Sequence, residues 1–419
     1  MSGTGHMSGT GHMSGDGHVS GTGQVNSTGQ SGLAEAQAAF RPVFDEIQAG
    51  AVPRELDREL PFEPIARLRA ARFGGLRVPL EHGGRGLTLR ETASLLIELA
   101  TADSNVAQAL RGHFAFVEDQ LSFPPSPERD GWLRRLAAGE LVGNAWSEIG
   151  TAAVGVTQTT LTRRGDELVV NGTKYYSTGT IFADWTDVVV RREDGTDTAV
   201  VVRVDQPGVV ATDDWSGFGQ RLSGSGTTVF TDALVEPEHV FASVLRAPHQ
   251  TPFFQLQLLA VLAGIAAAVE RDAVAAVRAR SRVYSHGLAD HGRDDAQIQE
   301  VVGAISAIAF GARAAVLVAA EAVGEAAADP SLVPAAGAEV YRAQVLLTES
   351  VPRAATLLFD ALGSSGVATG AALDRHWRNA RTVGAHNPVI YKQRIVGEWA
   401  LNGTPPPLAW SIGVGRPQG

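Results

Sequence analysis

The chain has 419 residues, 44% of them apolar, and its 45 acidic side chains against 35 Lys and Arg give a net charge of −10. That length holds one large multi-lobed unit or two to three modest domains, and the apolar share supports a substantial core. The acidic balance argues against a nucleic-acid or anionic-membrane partner, and the absence of Cys excludes disulfides, thiolate metal sites and a cysteine nucleophile.

With no disulfide framework and no signal peptide, the sequence reads as cytoplasmic. No apolar run reads as long and polar-free enough to span a bilayer. The Ala/Leu/Val stretch after Phe253 is interrupted by Glu270, Arg271 and Asp272, and reads as a buried bundle helix.

Residues 1–32 form a degenerate hexapeptide repeat of Gly, Ser and Thr, in which His6, His12 and His18 recur at a fixed spacing. Such a composition predicts a disordered tail rather than a metal site, because it cannot bury enough apolar surface to offset ordering. From 33 to 139 the pattern is helical. "LAEAQAAFRPVFDEI" has apolar residues three and four apart. "ETASLLIELATADSNVAQAL" reads as two helices broken near Asp103-Ser104, with Ser104 as the cap. "VPLEHGGRGL" is a glycine-rich loop between them.

From 140 to 245 Thr and Val alternate with polar residues around turns at Gly165-Asp166, Asn171-Gly172 and Asp194-Gly195, and a further strand precedes Pro237. This predicts short antiparallel strands. From 246 to 419 long helices return, broken at 290–295, 329–334 and 363–370, which predicts a helical bundle. Neither GxGxxG after a strand nor GxxxxGK[ST] occurs.

Several stretches carry candidate chemistry. In "GNAWSEIG", Trp146 stands beside Asn144 and Ser147; it suits a flat heterocycle with polar edges, or else a packing Trp with a satisfied N–H. "KYYSTG" throws Tyr176, Ser177 and Thr178 together, as a ligand wall or an ordinary Thr/Tyr-rich strand. Arg282 and Ser285, with His286, close the first bundle helix; they suit a phosphate or a solvated cationic helix end. The turn Gly363, Ser364, Ser365, Gly366 offers backbone N–H groups to a phosphate, or simply connects two helices. His113 lies on a predicted helix, where a lone His is more often structural. "RNARTVGAHNPV" ends an arginine-rich helix in His386 and Asn387, with no carboxylate between Arg375 and Gly397. His386 also suits a helix C-cap cation.

The stretches "VPLEHGGRG", "GNAWSEIG", "NGTKYYSTG", "GFGQRLSGSGTTVFTDALVEPEHVF", "LGSSGV" and "RNARTVGAHNPV", in this order, resemble the acyl-CoA dehydrogenase superfamily of flavoproteins. The resemblance covers nearly the whole chain after the tail. It implies an α+β, mainly α fold: a helical N-terminal lobe, a central antiparallel β-domain and a C-terminal four-helix bundle. It also implies a homotetramer, with a flavin between β-domain and bundle whose phosphates reach a neighbouring subunit. Trp146, Ser147, Tyr176, Ser177 and Thr178 would then line the flavin ring. Arg282, Ser285 and the Gly363–Gly366 turn would serve its phosphate end.

One departure is informative. Many members carry a glutamate at the end of "RDAR…IYEGT" that abstracts a proton α to a thioester carbonyl. Here the corresponding register holds Asn387, and an amide cannot act as that base. The ending "AHNPV" and "GQRLSGSGTTVF" are instead similar to the flavin-dependent monooxygenase branch, that of the dibenzothiophene monooxygenases and of related sulfur- and nitrogen-oxidising or indole-hydroxylating enzymes. That branch implies reduced flavin, FADH2 or FMNH2, supplied by a separate NAD(P)H–flavin reductase. O2 is the co-substrate, and a C4a-(hydro)peroxyflavin passes one oxygen atom to a carbon, sulfur or nitrogen of a small apolar or aromatic molecule. It places His113, Asn144 and Ser177 with His386 and Asn387 around the oxygen pocket. An imidazole of ordinary pKa, about 6.5, would donate there near neutrality, whereas a carboxylate would repel a developing peroxide anion. The substrate pocket would be lined by Leu121–Arg129 and by Phe253 and Phe254. Two alternatives stay open: a dehydrogenase with a relocated base such as Glu270, and a flavin-free scaffold without catalysis.

Overall fold

The computed structural model describes residues 27–149 and 157–407. The expected tail and its three histidines lie outside the described residues, apart from the start of the first helix.

The N-terminal lobe packs seven helices: α1 (Ser27–Ala49), α2 (Ala51–Asp57), α3 (Phe62–Ala70), α4 (Leu89–Ala102), α5 (Ser104–Ala109), α6 (Arg111–Ser122) and α7 (Pro127–Ala138). In α1, Ala36, Phe40, Phe44 and Ile47 recur on one face and are buried. Helix α4 starts with a capping box, Thr88 and Glu91 each satisfying the other's backbone N–H. The break between α4 and α5 is where the sequence predicts it, but the cap is Asp103, whose side chain accepts from the Asn105 N–H at 3.0 Å; Ser104 is the first helical residue. A carboxylate one residue earlier reaches the free N–H groups better than the serine inside the turn.

The middle of the chain builds one curled sheet from β1 (Val142–Ala145), β2 (Thr160–Arg164), β3 (Glu167–Lys174), β4 (Trp185–Arg191), β5 (Asp197–Arg203), β6 (Val209–Thr212) and β7 (Thr227–Val235). Its order is β1-β4-β2-β3-β7-β6, with β5 on the free flank of β4. The β2–β3 and β4–β5 hairpins turn at Gly165 and Gly195, both at positive φ. The sheet is not wholly antiparallel: β1 runs parallel to β4, because the β2–β3 hairpin lies between them in sequence and returns the chain in the same direction. The expected turn at Asn171-Gly172 is instead a bulge inside β3. Gly172 has φ +150° there, and a Cβ on it would lie 2.6 Å from the Thr159 Cα.

The C-terminal bundle consists of α8 (Gln250–Ala279), α9 (Ala296–Ala328), α10 (Val333–Leu362), α11 (Asp374–Gly384) and α12 (Lys392–Asn402). Contrary to the sequence reading, α8 and α9 are both long and apolar enough to cross a membrane by length and composition. Helix α8 is the core of the bundle and touches the N-terminal lobe, with 89% of its most apolar window buried. In α9 that share is 22%, so this helix turns an apolar face outward, Phe310 and Val318 included.

The arginine-rich α11 has one carboxylate of its own, Asp374, on Arg378 Nε at 2.8 Å, and draws the others from other elements. Arg375 and His376 both reach Asp272 Oδ2 on α8 at 2.8 Å, and Arg378 donates to Glu55 on α2 at 2.8 Å. Through Asp272 and Glu55 the cations of this helix clamp it to α8 and α2.

Candidate functional site

Strand β1 delivers Asn144 and, just beyond it, Trp146. The Trp146 N–H donates to Asp187 Oδ2 at 3.0 Å. Asp187 is held in turn by both Nη atoms of Arg246, at 3.2 and 2.5 Å. The indole is thus fixed from behind, half-buried, with its edge on Phe254 at 5.4 Å between ring centres. Ser147 and Tyr175 form a β-bridge, the Tyr175 N–H donating to the Ser147 carbonyl at 2.9 Å. The buried Lys174 ammonium grips Glu148 at 2.6 Å beside it. These bonds lay residues 146–148 alongside 174–178.

Tyr176 takes a left-handed conformation, φ +57°, which an ordinary side chain adopts only under constraint. Its ring packs edge-on to Trp215 and stays about half exposed. Ser177 is buried, its N–H on the Gly226 carbonyl at 2.9 Å and its Oγ 3.4 Å from the Lys174 carbonyl. The Thr178 hydroxyl meets Ser225 Oγ at 2.9 Å. The Asn144 N–H reaches the Thr178 carbonyl at 3.4 Å, while Asn144 Oδ1 is buried with no hydrogen-bond partner.

Opposite stand α6, the start of α8 and the turn after α11. Gly112 packs so closely on Asn144 that a Cβ there would lie 2.9 Å from Oδ1. The preceding residue, Arg111, donates from Nη1 to His386 Nε2 at 2.9 Å. His386 must therefore accept at Nε2 and carry its proton on Nδ1. The residue is exposed overall, yet the protein packed about its ring, and then the Arg111 charge, push its pKa down to about 3 against the Asn387 hydrogen bond. So His386 is a neutral ring near pH 7, without the minor imidazolium population that an ordinary pKa would leave. Asn387 donates from Nδ2 to Gln255 Oε1 at 2.6 Å, and Gln344 donates to the Asn387 carbonyl at 3.0 Å.

The contacts close a circuit: Trp146 to Phe254, Gln255 to Asn387, His386 to Arg111, Gly112 to Asn144, and back along β1. It joins the N-terminal lobe, the sheet and the bundle, and it brings together Asn144, Trp146, Ser147, Tyr176, Ser177, Thr178, His386 and Asn387. No carboxylate is among these side chains; the adjoining Asp187 and Glu148 are held by Arg246 and Lys174. The orphaned Asn144 oxygen and the half-covered indole suit a flat heterocycle with N–H groups at its edge. No cluster of His, Cys, Asp and Glu that could hold a metal ion occurs among the described residues.

Other expected residues lie elsewhere. His113 is buried between lobes: Nε2 donates to the Gly74 carbonyl at 3.0 Å, and Nδ1 accepts from the Val142 N–H at 3.4 Å. Burial pushes its pKa down to about 4, and both ring nitrogens are engaged by backbone. Phe253 is in the hydrophobic core, so of the two phenylalanines only Phe254 meets Trp146. Helix α8 ends at Ala279, so Arg282 and Ser285 follow it in an exposed segment rather than closing it. At about 1.5 Å per residue, Phe254 and Ala279 are roughly 38 Å apart along α8. The Gly363–Gly366 turn is at that far end too, since Arg280 reaches the Ala361 carbonyl there. Ser364 is exposed and Ser365 caps back onto the Leu362 carbonyl at 2.8 Å. The residues expected to face a flavin ring and those expected to serve its phosphates are thus at opposite ends of one helix.

Sequence reasoning missed Arg111, Gln255 and the Asp187–Arg246 pair. The one signal for Arg111 was an arginine flanked by the apolar residues of "ALRGHFAF".

The model of the acyl-CoA dehydrogenase N-terminal domain matches residues 34–140, and that of the acyl-CoA dehydrogenase C-terminal domain matches residues 256–390. A dibenzothiophene monooxygenase of Rhodococcus erythropolis is 28% identical over 362 residues, 81% of this chain and 86% of that protein. A protein of Pseudomonas putida described as a probable FMNH2-dependent monooxygenase, SfnC, is 24% identical over 357 residues, 81% and 88% of the two chains. Among solved structures, FMN-bound TdsC from Paenibacillus sp. A11-2 superposes with a TM-score of 0.83 at 24% identity, covering 90% of this chain and 99% of that one. Methanesulfinate monooxygenase MsuC from Pseudomonas fluorescens gives 0.81 at 24%, covering 89% and 98%.

Proposed function

Because the chain belongs to the acyl-CoA dehydrogenase family, its two matched domains together spanning more than half of it, we propose that it is a monooxygenase using reduced flavin and O2. One oxygen atom enters an aromatic or heteroaromatic carbon, or a sulfur or nitrogen, of a small molecule. The observation that carries this reading is the turn after α11: a neutral imidazole and an amide stand there in a circuit with no carboxylate. The activities of the relatives point the same way, and FMN is the flavin named for TdsC and SfnC.

Trp146, Ser147, Tyr176, Ser177 and Thr178 would hold the flavin ring. Bound reduced flavin supplies the electrons with which O2 is split between substrate and water. The chain's own residues do the rest. His386, fixed as the Nδ1–H tautomer by Arg111, and Asn387, fixed by Gln255, present uncharged polar groups to an oxygen that gains negative charge. Asn144 and Ser177 complete that wall from the sheet side. Trp146 and Phe254 exclude water.

The phosphate end calls for a second copy. Arg282, Ser285 and the Gly363–Gly366 turn are roughly 38 Å along α8 from the ring-facing residues of the same chain, which exceeds what one flavin spans, so they would serve a neighbour's cofactor. The apolar outer face of α9 gives such a neighbour a surface, and a homotetramer is the assembly we propose. A separate NAD(P)H–flavin reductase would supply the reduced cofactor, and the compartment would be the cytoplasm.

A dehydrogenase with a relocated base is not favoured: Glu270 is roughly 22 Å along α8 from Gln255. A flavin-free scaffold is not favoured either, since the ring-facing set is intact. The test mixes the protein with chemically reduced FMN, oxygen-18 gas and a panel of small aromatics and thioethers. Incorporation of one labelled atom supports the proposal. Anaerobic bleaching of oxidised flavin by an acyl-CoA, with no incorporation, would replace it by dehydrogenation.

A further inference from the structure

Arg111 is a cation without a counter-ion. Its Nη1 is on a neutral imidazole, its Nε is buried with no hydrogen-bond partner, and among the described residues no carboxylate comes within ion-pair distance of it. Residues outside the description contain a single acid, Asp16. Burial lowers its pKa to about 10, which still leaves it charged near neutrality. A partly desolvated charge without a partner is unfavourable until something neutralises it. Arg111 is half-buried, whereas the guanidinium groups of Arg54, Arg246 and Arg375, each almost wholly buried, are neutralised from within by Asp103, Asp187 and Asp272.

The position matters as much as the charge. Arg111 adjoins Gly112, which packs on Asn144, and touches His386, so its guanidinium belongs to the circuit where the substrate must react. The same circuit offers an apolar wall, Trp146 with Phe254. We propose that Arg111 is the substrate's anion-binding residue, and that the substrate is a small amphiphilic oxyanion, a carboxylate or sulfinate with an apolar body. The head group takes the free N–H edge of the guanidinium, and the body lies against Trp146 and Phe254. This deepens the monooxygenase reading and rests on it for the word substrate. It replaces the wholly apolar ligand that the sequence suggests.

Guanidinium and carboxylate or sulfinate pair through charge-assisted hydrogen bonds, and loss of one such partner typically weakens binding by roughly tenfold to a hundredfold. The test is calorimetric titration of the whole protein, with oxidised FMN present, against isosteric pairs: benzenesulfinate against methyl phenyl sulfone, benzoate against benzamide. The wild type should prefer the anion of each pair by at least about tenfold. Arg111→Gln should abolish that preference, and Arg111→Lys should keep part of it. Equal binding of anion and neutral isostere, or an unchanged preference in Arg111→Gln, overturns the proposal. Should Arg111→Gln fail to fold, phenylglyoxal modification of the wild type decides: benzenesulfinate should protect the peptide carrying Arg111, and absence of protection counts against it. These readouts need no turnover, so their failure is separate from failure of oxygen-18 incorporation.

Discussion

Asp119→Asn should remove a pH dependence of stability that comes from a miscounted charge behind Trp146. Arg246 stands between two carboxylates, with Nη2 at 2.9 Å from Asp119 and 2.5 Å from Asp187. One guanidinium neutralises one of them. Asp187 has the better share, two Arg246 bonds and the Trp146 N–H, whereas Asp119 otherwise has only the Gln250 amide at 2.8 Å. Burial, with the Asp187 and Glu118 charges adding to it against the pull of Arg246, pushes the Asp119 pKa up to about 8. In the unfolded chain the same group titrates near its ordinary value of about 3.9. Between these values the folded state keeps a proton that the unfolded chain has released. Stability therefore falls as pH rises through that window, and the loss levels off above the folded pKa. The full slope is about 1.4 kcal/mol per pH unit, so going from pH 6 to pH 8 should cost the wild type about 2 kcal/mol from this group. Asn has the same shape and no proton to lose. Urea unfolding followed by Trp fluorescence, at constant ionic strength across that range, measures both proteins. Subtracting the two curves cancels the other titrating groups. If wild type and Asp119→Asn change in parallel, Asp119 is ionised throughout and the reasoning fails.

Three further outcomes are expected. Gly74→Ala would put a Cβ 2.4 Å from His113 Nε2 and displace the ring from between the lobes; thermal unfolding should show a loss of about 1–3 kcal/mol, and an unchanged midpoint would contradict the packing described. Glu270→Gln should leave oxygen-18 incorporation unaltered, since that residue is remote from the circuit; a collapse of turnover would revive the relocated base. Because its pKa is pushed down to about 3, His386 is already neutral throughout the usual working range. The pH profile of flavin re-oxidation should accordingly have no inflection near the ordinary histidine value that His386→Gln removes, and finding one would mean the ring titrates there.

The sequence reveals what depends on local pattern and hides what depends on distant pairing. Alternating Thr and Val gave the hairpins at Gly165 and Gly195, and Gly and Pro punctuation gave the breaks in the bundle. Asn171-Gly172 carries the same turn signal, yet Thr159 packs on Gly172 and turns it into a bulge, a tertiary fact with no local trace. The site divides the same way. Trp146, Ser177, Asn387 and their neighbours stand in recognisable stretches. The Asp187–Arg246 pair, separated by 59 residues, and the Asn387–Gln255 bond, by 132, leave no spacing to detect. His113 and Arg111 show the hazard most plainly. An imidazole drew attention as a catalytic type, but both its nitrogens are spent on backbone, while the arginine two residues before it is the one that touches His386.

The most direct measurement follows the return of oxidised-flavin absorbance after protein carrying reduced FMN meets O2, with no substrate present. A marked delay relative to free flavin is expected in the wild type, with its loss in His386→Ala despite intact FMN binding. An equal delay in both proteins would mean that the imidazole at the end of α11 does not govern oxygen chemistry.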